Sequence, residues 1–310
     1  MRLTQIQGFL AAAESGSIRA AARRLGVSQP AMTKSVHQLE EELQVRLFHR
    51  TTRGVVVTRT GKVFLARARV IQAELRRAGE DLAELRGERG GAVAVGVSPM
   101  TSAVLIPGAI VHLRQQRPLC SVHVVEGVWS SLQPAVRDGQ LDLAIVLKTP
   151  DAKLDPAIRF KPLYRAHMVV AGRCGHPMSH ARSLRDLASA SWLMFGPPGP
   201  TALLSRHFAV AGLPPPAISI QCESSAAALA LLMGTDTIGL VEHQFLVSSY
   251  TGGFLQQLNV DEPSPEVTVG ILSRSDEPLS PSAKAMVRAA ATAAQRLISS
   301  QAGARRLTGC

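Results

Sequence analysis

Apolar positions near the start of the chain recur at helical spacing. Leu3, Ile6, Phe9, Leu10 and Ala13 predict a helix over residues 4–14 with one buried face. Ser15-Gly16-Ser17 breaks that pattern, and Ser17 suits the N-cap of a second helix running to Arg24. Ala20, Ala21 and Ala22 are small enough there for close helix packing. Leu25-Gly26-Val27-Ser28 then reads as a tight turn. Gly26 fits the left-handed position after a helix, and Ser28 caps a third helix. Pro30 sits in its first turn, where a missing N–H costs little. That helix is expected to run to about residue 43 and to bury Ala31, Val36 and Leu39. Gln29, Thr33, Lys34 and His37 are left at its exposed start. Residues 46–59 read as a short β-hairpin, with Val55-Val56-Val57 set among Arg46, Arg50, Arg53 and Arg59.

The period then lengthens. Phe64, Ala68, Ile71, Leu75, Ala78, Leu82 and Leu85 alternate in steps of four and three. This is the seam of a long helix, 60–87, that pairs with another helix. Gly87 to Gly91 forms a linker. Beyond it the texture changes to strands over 92–97, 121–125, 141–147, 168–171, 192–195, 218–222, 237–241 and 266–272. Helical stretches fall at 102–116, 132–138, 201–210, 226–233 and 282–298. Such alternation predicts a parallel sheet with helices on both faces.

Charge sharpens this division. The net charge is +11 over 310 residues, and the first 62 residues carry more than half of it. A basic module on a nearly balanced body points to a polyanion partner for the N-terminal part. No apolar run approaches the ~18 residues that a spanning helix needs, and the first residues lack a secretory h-region. A cytoplasmic protein without membrane contact is therefore expected. Cys120, Cys174, Cys222 and Cys310 are too far apart for a CxxC pair, so neither a metal site nor a disulfide framework is expected. The chain has no GxSxG, P-loop or HExxH motif. Cys222-Glu223 and Glu242-His243 read as cap or surface pairs rather than as nucleophile and base, so no catalytic residue is assigned.

The run Ser15-Gly16-Ser17, Ala20-Ala21, Leu25 to Ala31, Leu39 to Leu43, Leu47-Phe48, Arg50, Thr58 and Gly61 closely resembles the winged helix-turn-helix of LysR-type transcriptional regulators. Total length, the helical linker and the α/β body are like that family too. The chain departs from the family's usual residues at Thr33, Gln44, His49 and Arg59, where serine, glycine, an acidic residue and a small residue or proline are common. The resemblance implies an α/β multidomain protein in three parts. These are an N-terminal winged helix-turn-helix, a long coiled-coil linker helix and a C-terminal two-subdomain, Rossmann-like effector-binding domain similar to periplasmic solute-binding proteins. The expected boundaries are 1–59 for the DNA-binding domain, 60–87 for the dimerisation helix and 88–91 for a hinge. Residues 92–300 form the effector domain (subdomain I 92–162 and 268–300, subdomain II 163–267), and 301–310 a flexible tail.

The expected DNA contacts are Gln29, Pro30, Ala31, Thr33, Lys34, His37, Arg50 and Arg53. Gln29 suits adenine, while Pro30, Ala31 and Thr33 suit a thymine methyl. Lys34 suits guanine or phosphate, and the hairpin arginines suit the backbone or minor groove. Strand ends and helix N-termini around a cleft would hold the effector. Its expected lining is Ser98, Met100, Thr101, Trp129, Phe195, Pro200, Thr201, Glu223 and Ser224. Hydroxyls would orient an anion, and Met100, Trp129 and Phe195 would form apolar walls. The expected ligand is a small organic anion, aromatic or short-chain, acting as co-inducer; no other cofactor is expected. The expected partners are double-stranded promoter DNA, a second copy through the linker helix, a homotetramer built from such dimers, and RNA polymerase. Two other functions compete: a redox-responsive regulator of the same fold, and a non-specific architectural DNA binder.

Overall fold

The computed structural model describes residues 1–307 apart from 53, 88–89, 197–201, 249–250, 252 and 276–277, with side chains described through residue 299. The chain divides into two units, Met1–Leu82 with Asp138–Gln140, and Ala83–Arg137 with Leu141–Cys310.

The first unit begins with three helices, α1 (Leu3–Ser15), α2 (Ile18–Arg24) and α3 (Gln29–Leu43). A hairpin follows, β1 (Phe48–Thr51) and β2 (Gly54–Val57), and then the long α4 (Arg59–Leu85). The expected caps form. Ser17 Oγ accepts from the Ala20 N–H at 3.3 Å and Ser28 Oγ from the Ala31 N–H at 3.3 Å. Ile6, Phe9, Leu10, Ala21, Val36, Leu39, Leu47 and Ala68 make one core, with the Phe9 ring 5.1 Å from both Phe48 and Phe64.

Two expected core positions are corrected. Ala31 is exposed and Met32 is buried in its place. Met32, Val36 and Leu39 share one face at four- and three-residue steps, and Gly8 of α1 leaves room for the Met32 sulfur, which lies only 3.1 Å from where a Cβ would stand. Leu3 is 43% exposed, because it opens α1 ahead of the packed turn. At the end of α3, Gln44 adopts φ 54°, the left-handed geometry that favours glycine.

The hairpin is fastened at both ends. Its second strand donates from the Val55 N–H to the Gly16 carbonyl at 2.9 Å. Thr58 Oγ1 donates to the Arg46 carbonyl at 2.7 Å and accepts from the Gly61 N–H at 2.8 Å, which starts α4. A Cβ at residue 61 would lie 2.2 Å from the Leu47 carbonyl oxygen, so this crossing requires glycine.

The second unit carries β3 (Ala92–Val97), α5 (Pro99–Gln116), β4 (Ser121–Glu126), α6 (Trp129–Arg137), β5 (Leu143–Lys148), β6 (Ile158–Arg173) and β7 (Ser191–Phe195). It continues with α7 (Leu203–Val210), β8 (Ile218–Cys222), α8 (Ser225–Gly234), β9 (Thr237–Glu242), α9 (His243–Leu246), β10 (Leu255–Gln257), β11 (Glu266–Arg274) and α10 (Pro281–Leu307). The sheet order is β4-β3-β5-β11-β6-β9-β7-β8, with β10 on β6. It is mixed rather than parallel. The pairs of β3 with β4 and β5, and of β7 with β8 and β9, are parallel. In contrast, β11 runs antiparallel to both β5 and β6, and β6 antiparallel to β9 and β10.

The returning strands cause the difference. β6 pairs β11 through His167, then pairs β9 from Met168 onward, so one long strand joins two βα halves. The helix α5 begins at Pro99, three residues earlier than its apolar pattern suggests. It packs on α10, where Gly108 brings the backbone close to Ala293. The cores are Val/Ile/Leu-rich strands covered by α5 and the Ala289–Ala294 stripe of α10 on one face, and by α6 through Leu132 and Val136 on the other. No helix among the described residues is long and apolar enough to cross a membrane.

Candidate functional site

In the first unit the face of α3 opposite Met32, Val36 and Leu39 is polar. Gln29, Pro30, Ala31, Lys34 and His37 are exposed and Thr33 half-buried. Gln29, Pro30, Thr33, Lys34 and His37 line one shallow groove together with Gln38 and Glu41. His37 Nδ1 lies 3.1 Å from Glu41 Oε1, one helical turn on, which leaves its other nitrogen to face outward. A second, more polar hollow lies between α3 and the hairpin. His37, Arg46, His49 and Arg50 border it. Arg53 falls outside the described residues.

The sequence pattern did not single out the residue that sets this geometry. Glu40 is only 7% exposed. Its Oε1 accepts the Leu47 N–H at 2.7 Å and the Phe48 N–H at 3.1 Å, and its Oε2 pairs with Arg46 at 3.2 Å. A carboxylate on α3 thus holds the first strand of the hairpin and orients one of its cations. The groove and hollow present donors, a ring nitrogen and cations over a rigid helix. That inventory suits base edges and phosphates.

In the second unit, Ser98, Met100, Thr101, Trp129 and Phe195 line one cavity of about 200 Å³. Pro99, Val128, Leu147, Met168, Leu193, Met194, Leu203, Leu204 and Leu240 complete its walls with Thr149. It opens through shared walls at Val128, Trp129, Leu147, Thr149 and Phe195 into an outer chamber of about 580 Å³ that adds Asp151, Lys153 and Arg206. Glu223 and Ser224 are exposed and line neither space. Ser224 instead caps α8 by accepting the Ala227 N–H at 3.4 Å. Pro200 and Thr201 lie outside the described residues.

The two expected hydroxyls differ. Ser98 Oγ accepts the Leu147 N–H at 3.1 Å, which leaves its O–H able to donate. Thr101, fully buried, lies 3.5 Å from Glu242 Oε2. Glu242, read from the sequence as a cap or surface residue, stands at the N-cap of α9 without a side-chain capping bond, and its burial corrects the surface alternative. It is fully buried, accepts the Tyr164 hydroxyl at 2.9 Å, and its N–H points at the Met100 sulfur at 3.2 Å. It closes an otherwise apolar strand, so the local pattern carried no sign of a buried partner 78 residues away.

Burial pushes its carboxyl up from the ordinary 4.5 to about 7, against the opposing hydrogen bonds from Tyr164 and Thr101. Burial, reinforced by the Glu242 charge, likewise raises the Tyr164 phenol. The folded state therefore holds the Glu242 proton more tightly than the unfolded chain does. The associated stability is fully present below about pH 4.5 and is lost as pH rises through about 7, by up to ~3 kcal/mol. The melting temperature of the second unit should accordingly fall between about pH 5 and pH 8, and Glu242→Gln should flatten that slope. Equal slopes in the two proteins, followed by calorimetry, would remove Glu242 as its source.

Glu126, at the end of β4, spans two helix starts. It accepts from Ser102 Oγ on α5 and from both Ser225 Oγ and the Ser225 N–H of α8, the last at 3.1 Å. Of the four cysteines, Cys120 is buried, Cys174 exposed and Cys222 half-buried, all as free thiols, while Cys310 lies outside the described residues.

Comparison with known proteins agrees with both halves of this picture. The bacterial regulatory helix-turn-helix protein, lysR family, matches residues 3–62, and the LysR substrate binding domain matches residues 86–295. The HTH-type transcriptional regulator GalR of Pseudomonas putida is 30% identical over 285 residues, covering 91% of this chain and 72% of that protein. The HTH-type transcriptional regulator PcaQ of Agrobacterium fabrum is 28% identical over 284 residues, 89% of each chain. Among solved structures, CbnR, a LysR family transcriptional regulator, superposes with a TM-score of 0.66 at 22% identity over 95% of this chain and 99% of its own. CbnR complexed with its target DNA superposes with a TM-score of 0.64 over 94% and 100%. With a helix-turn-helix at one end and a substrate-binding fold over most of the remainder, the chain belongs to the LysR family of DNA-binding transcriptional regulators, which are not enzymes.

Proposed function

We propose that this chain controls a promoter by reading two half-sites through paired winged helices, and that a small organic effector held between the two βα halves alters its grip on DNA and the bend it imposes. One observation carries this reading. A single chain combines an exposed polar helix face beside a cation-lined hollow with a mostly apolar cavity. Gln29, Pro30, Ala31, Thr33 and Lys34 read bases and the thymine methyl, while His37 and Arg50, joined by Arg46 and His49, hold phosphates. Ser98, Met100, Thr101, Trp129 and Phe195 surround the effector. The domain limits are 1–59, 60–87 and 92–300 with a hinge at 88–91, and α4 is the dimerisation helix. The active form is a homodimer through α4, assembled into a homotetramer. It works in the cytoplasm, where promoter DNA and RNA polymerase are its partners.

The test is fluorescence anisotropy with DNA from upstream of the chain's own gene, against scrambled DNA at about 150 mM salt, where non-specific binding is typically weaker than micromolar. Tight binding to the native sequence alone supports a sequence-specific regulator. Equal weak binding to both supports an architectural DNA binder. Gln29→Ala is expected to lower the preference for the native site by roughly 5- to 100-fold. Arg50→Ala, which removes a phosphate contact, should weaken both DNAs alike and reduce the salt slope by about one. A Gln29→Ala protein with unchanged discrimination would move base reading to other side chains.

A further inference from the structure

We propose that the effector enters with its apolar end first and that its anionic head is held in the outer chamber by Lys153, with Arg206 alongside. The ligand class is an amphiphilic acid: one aromatic ring or a short branched alkyl body, joined by a short spacer to a carboxylate or sulfonate. This rests on the cavity being the effector site and deepens it by assigning polarity and a head-group residue.

Size comes first. An apolar cavity of about 150 Å³ holds benzene, so the inner space of about 200 Å³ suits a single ring. Among the described residues its walls contain no Lys, Arg or His, and burying an unpaired carboxylate there is costly. Two nearby features that attract anions are occupied by the protein's own carboxyl groups. Glu126 sits on the first turn of α8 and on Ser102 of α5, and Glu242 stands behind Thr101. A second anion driven inward finds both positions taken.

The outer chamber is the opposite case. Trp129 and Phe195 belong to both spaces, so one molecule can span them. Arg206 is already paired with Asp151. Lys153 is exposed and has no ion-pair partner among the described residues. One unneutralised ammonium therefore stands at the mouth, where water still solvates an incoming head group.

The test uses the full-length protein and arylalkanoates from phenylacetate upward, with spacers of one to about four carbons, each compared with its primary amide. Binding is read by titration calorimetry and thermal shift. The best acid should bind about fivefold more tightly than its amide, as expected for one partly exposed ion pair, and added salt should erode that margin. Lys153→Met should abolish the margin and leave amide binding unchanged. Thr101→Val should leave the margin intact. Leu203→Trp, checked for folding by circular dichroism, should fill the inner cavity and weaken acid and amide together.

Equal binding of acid and amide to the parent protein overturns the orientation. So does a margin that survives Lys153→Met but disappears in Thr101→Val. If amides bind and acids do not, the head-group assignment fails while the cavity stands. If no pair binds at millimolar concentration, or Leu203→Trp leaves binding unchanged, the cavity itself fails as the effector site.

Discussion

Replacing Glu40 with alanine is expected to unfasten the hairpin from α3 and to abolish tight DNA binding at temperatures where the parent protein binds. The side chain is nearly buried and accepts the N–H groups of Leu47 and Phe48, both themselves buried. Truncation leaves two donors without acceptors. Each unsatisfied buried group costs roughly 1–3 kcal/mol, so a loss of about 3 kcal/mol is expected. For a unit of this size that lowers the melting temperature by on the order of 10–20 °C. Glu40→Gln keeps an acceptor oxygen near both donors and gives up only the charge toward Arg46, so it should lose much less. Arg46→Ala removes a mostly exposed partner and should barely change stability, since exposed ion pairs contribute ~0–1 kcal/mol. Calorimetry on the three variants ranks them. If Arg46→Ala proved as damaging as Glu40→Ala, the ion pair rather than the backbone acceptors would be holding the hairpin.

What the sequence made legible was local. Ser17, Gly26 and Ser28 announce two helix starts and the turn between them because caps act over three residues. Gln29, Lys34 and His37 stand out because a polar face opposite an apolar stripe is visible in a single helix. Met100, Trp129 and Phe195 were legible as walls because apolar residues at strand ends face a cleft in such sheets. What stayed hidden is made by partners far apart. Glu242 meets Thr101 across 141 residues and Glu126 meets Ser225 across 99, and no local period encodes either pairing. Most of β6 stayed hidden for a different reason. Ile158 to Lys161 and Tyr164 to His167 alternate apolar and polar, which is a local strand signal, but Pro162-Leu163 interrupts the run, and pairing with β11 carries the strand across it. Ala31 and Met32 illustrate a finer limit: both fit an apolar stripe, and the gap at Gly8 decides between them.

The seam along α4 divides in the structure, and its second half supports the larger prediction. Phe64, Ala68 and Ile71 pack into the core of the first unit. Leu75 and Leu82 are 47% and 58% exposed, Leu85 is 85% exposed, and Ala78 between them is also exposed. These four residues continue the three-and-four spacing, so a wet apolar stripe runs for about 15 Å along the helix. Burying a leucine stabilises by roughly 1.5–3 kcal/mol, and a symmetric pair of helices would bury each residue twice. Leu75→Asp combined with Leu82→Asp places like charges opposite one another in such a pair. The expected result is a monomer at concentrations where the parent protein is dimeric, read by analytical ultracentrifugation. DNA affinity should fall with it. Two linked reading heads gain about 10²–10⁴ over one, so a loss of at least roughly 100-fold for the full operator is expected, while binding to an isolated half-site stays the same. Ala83→Asp adds a charge on the same helix about 100° round from Leu82, off the a/d seam and its flanks, and should leave both measurements unchanged. A double variant that remained dimeric and kept its operator affinity would show that assembly runs through another surface, and that the leucines of α4 serve the chain's own fold.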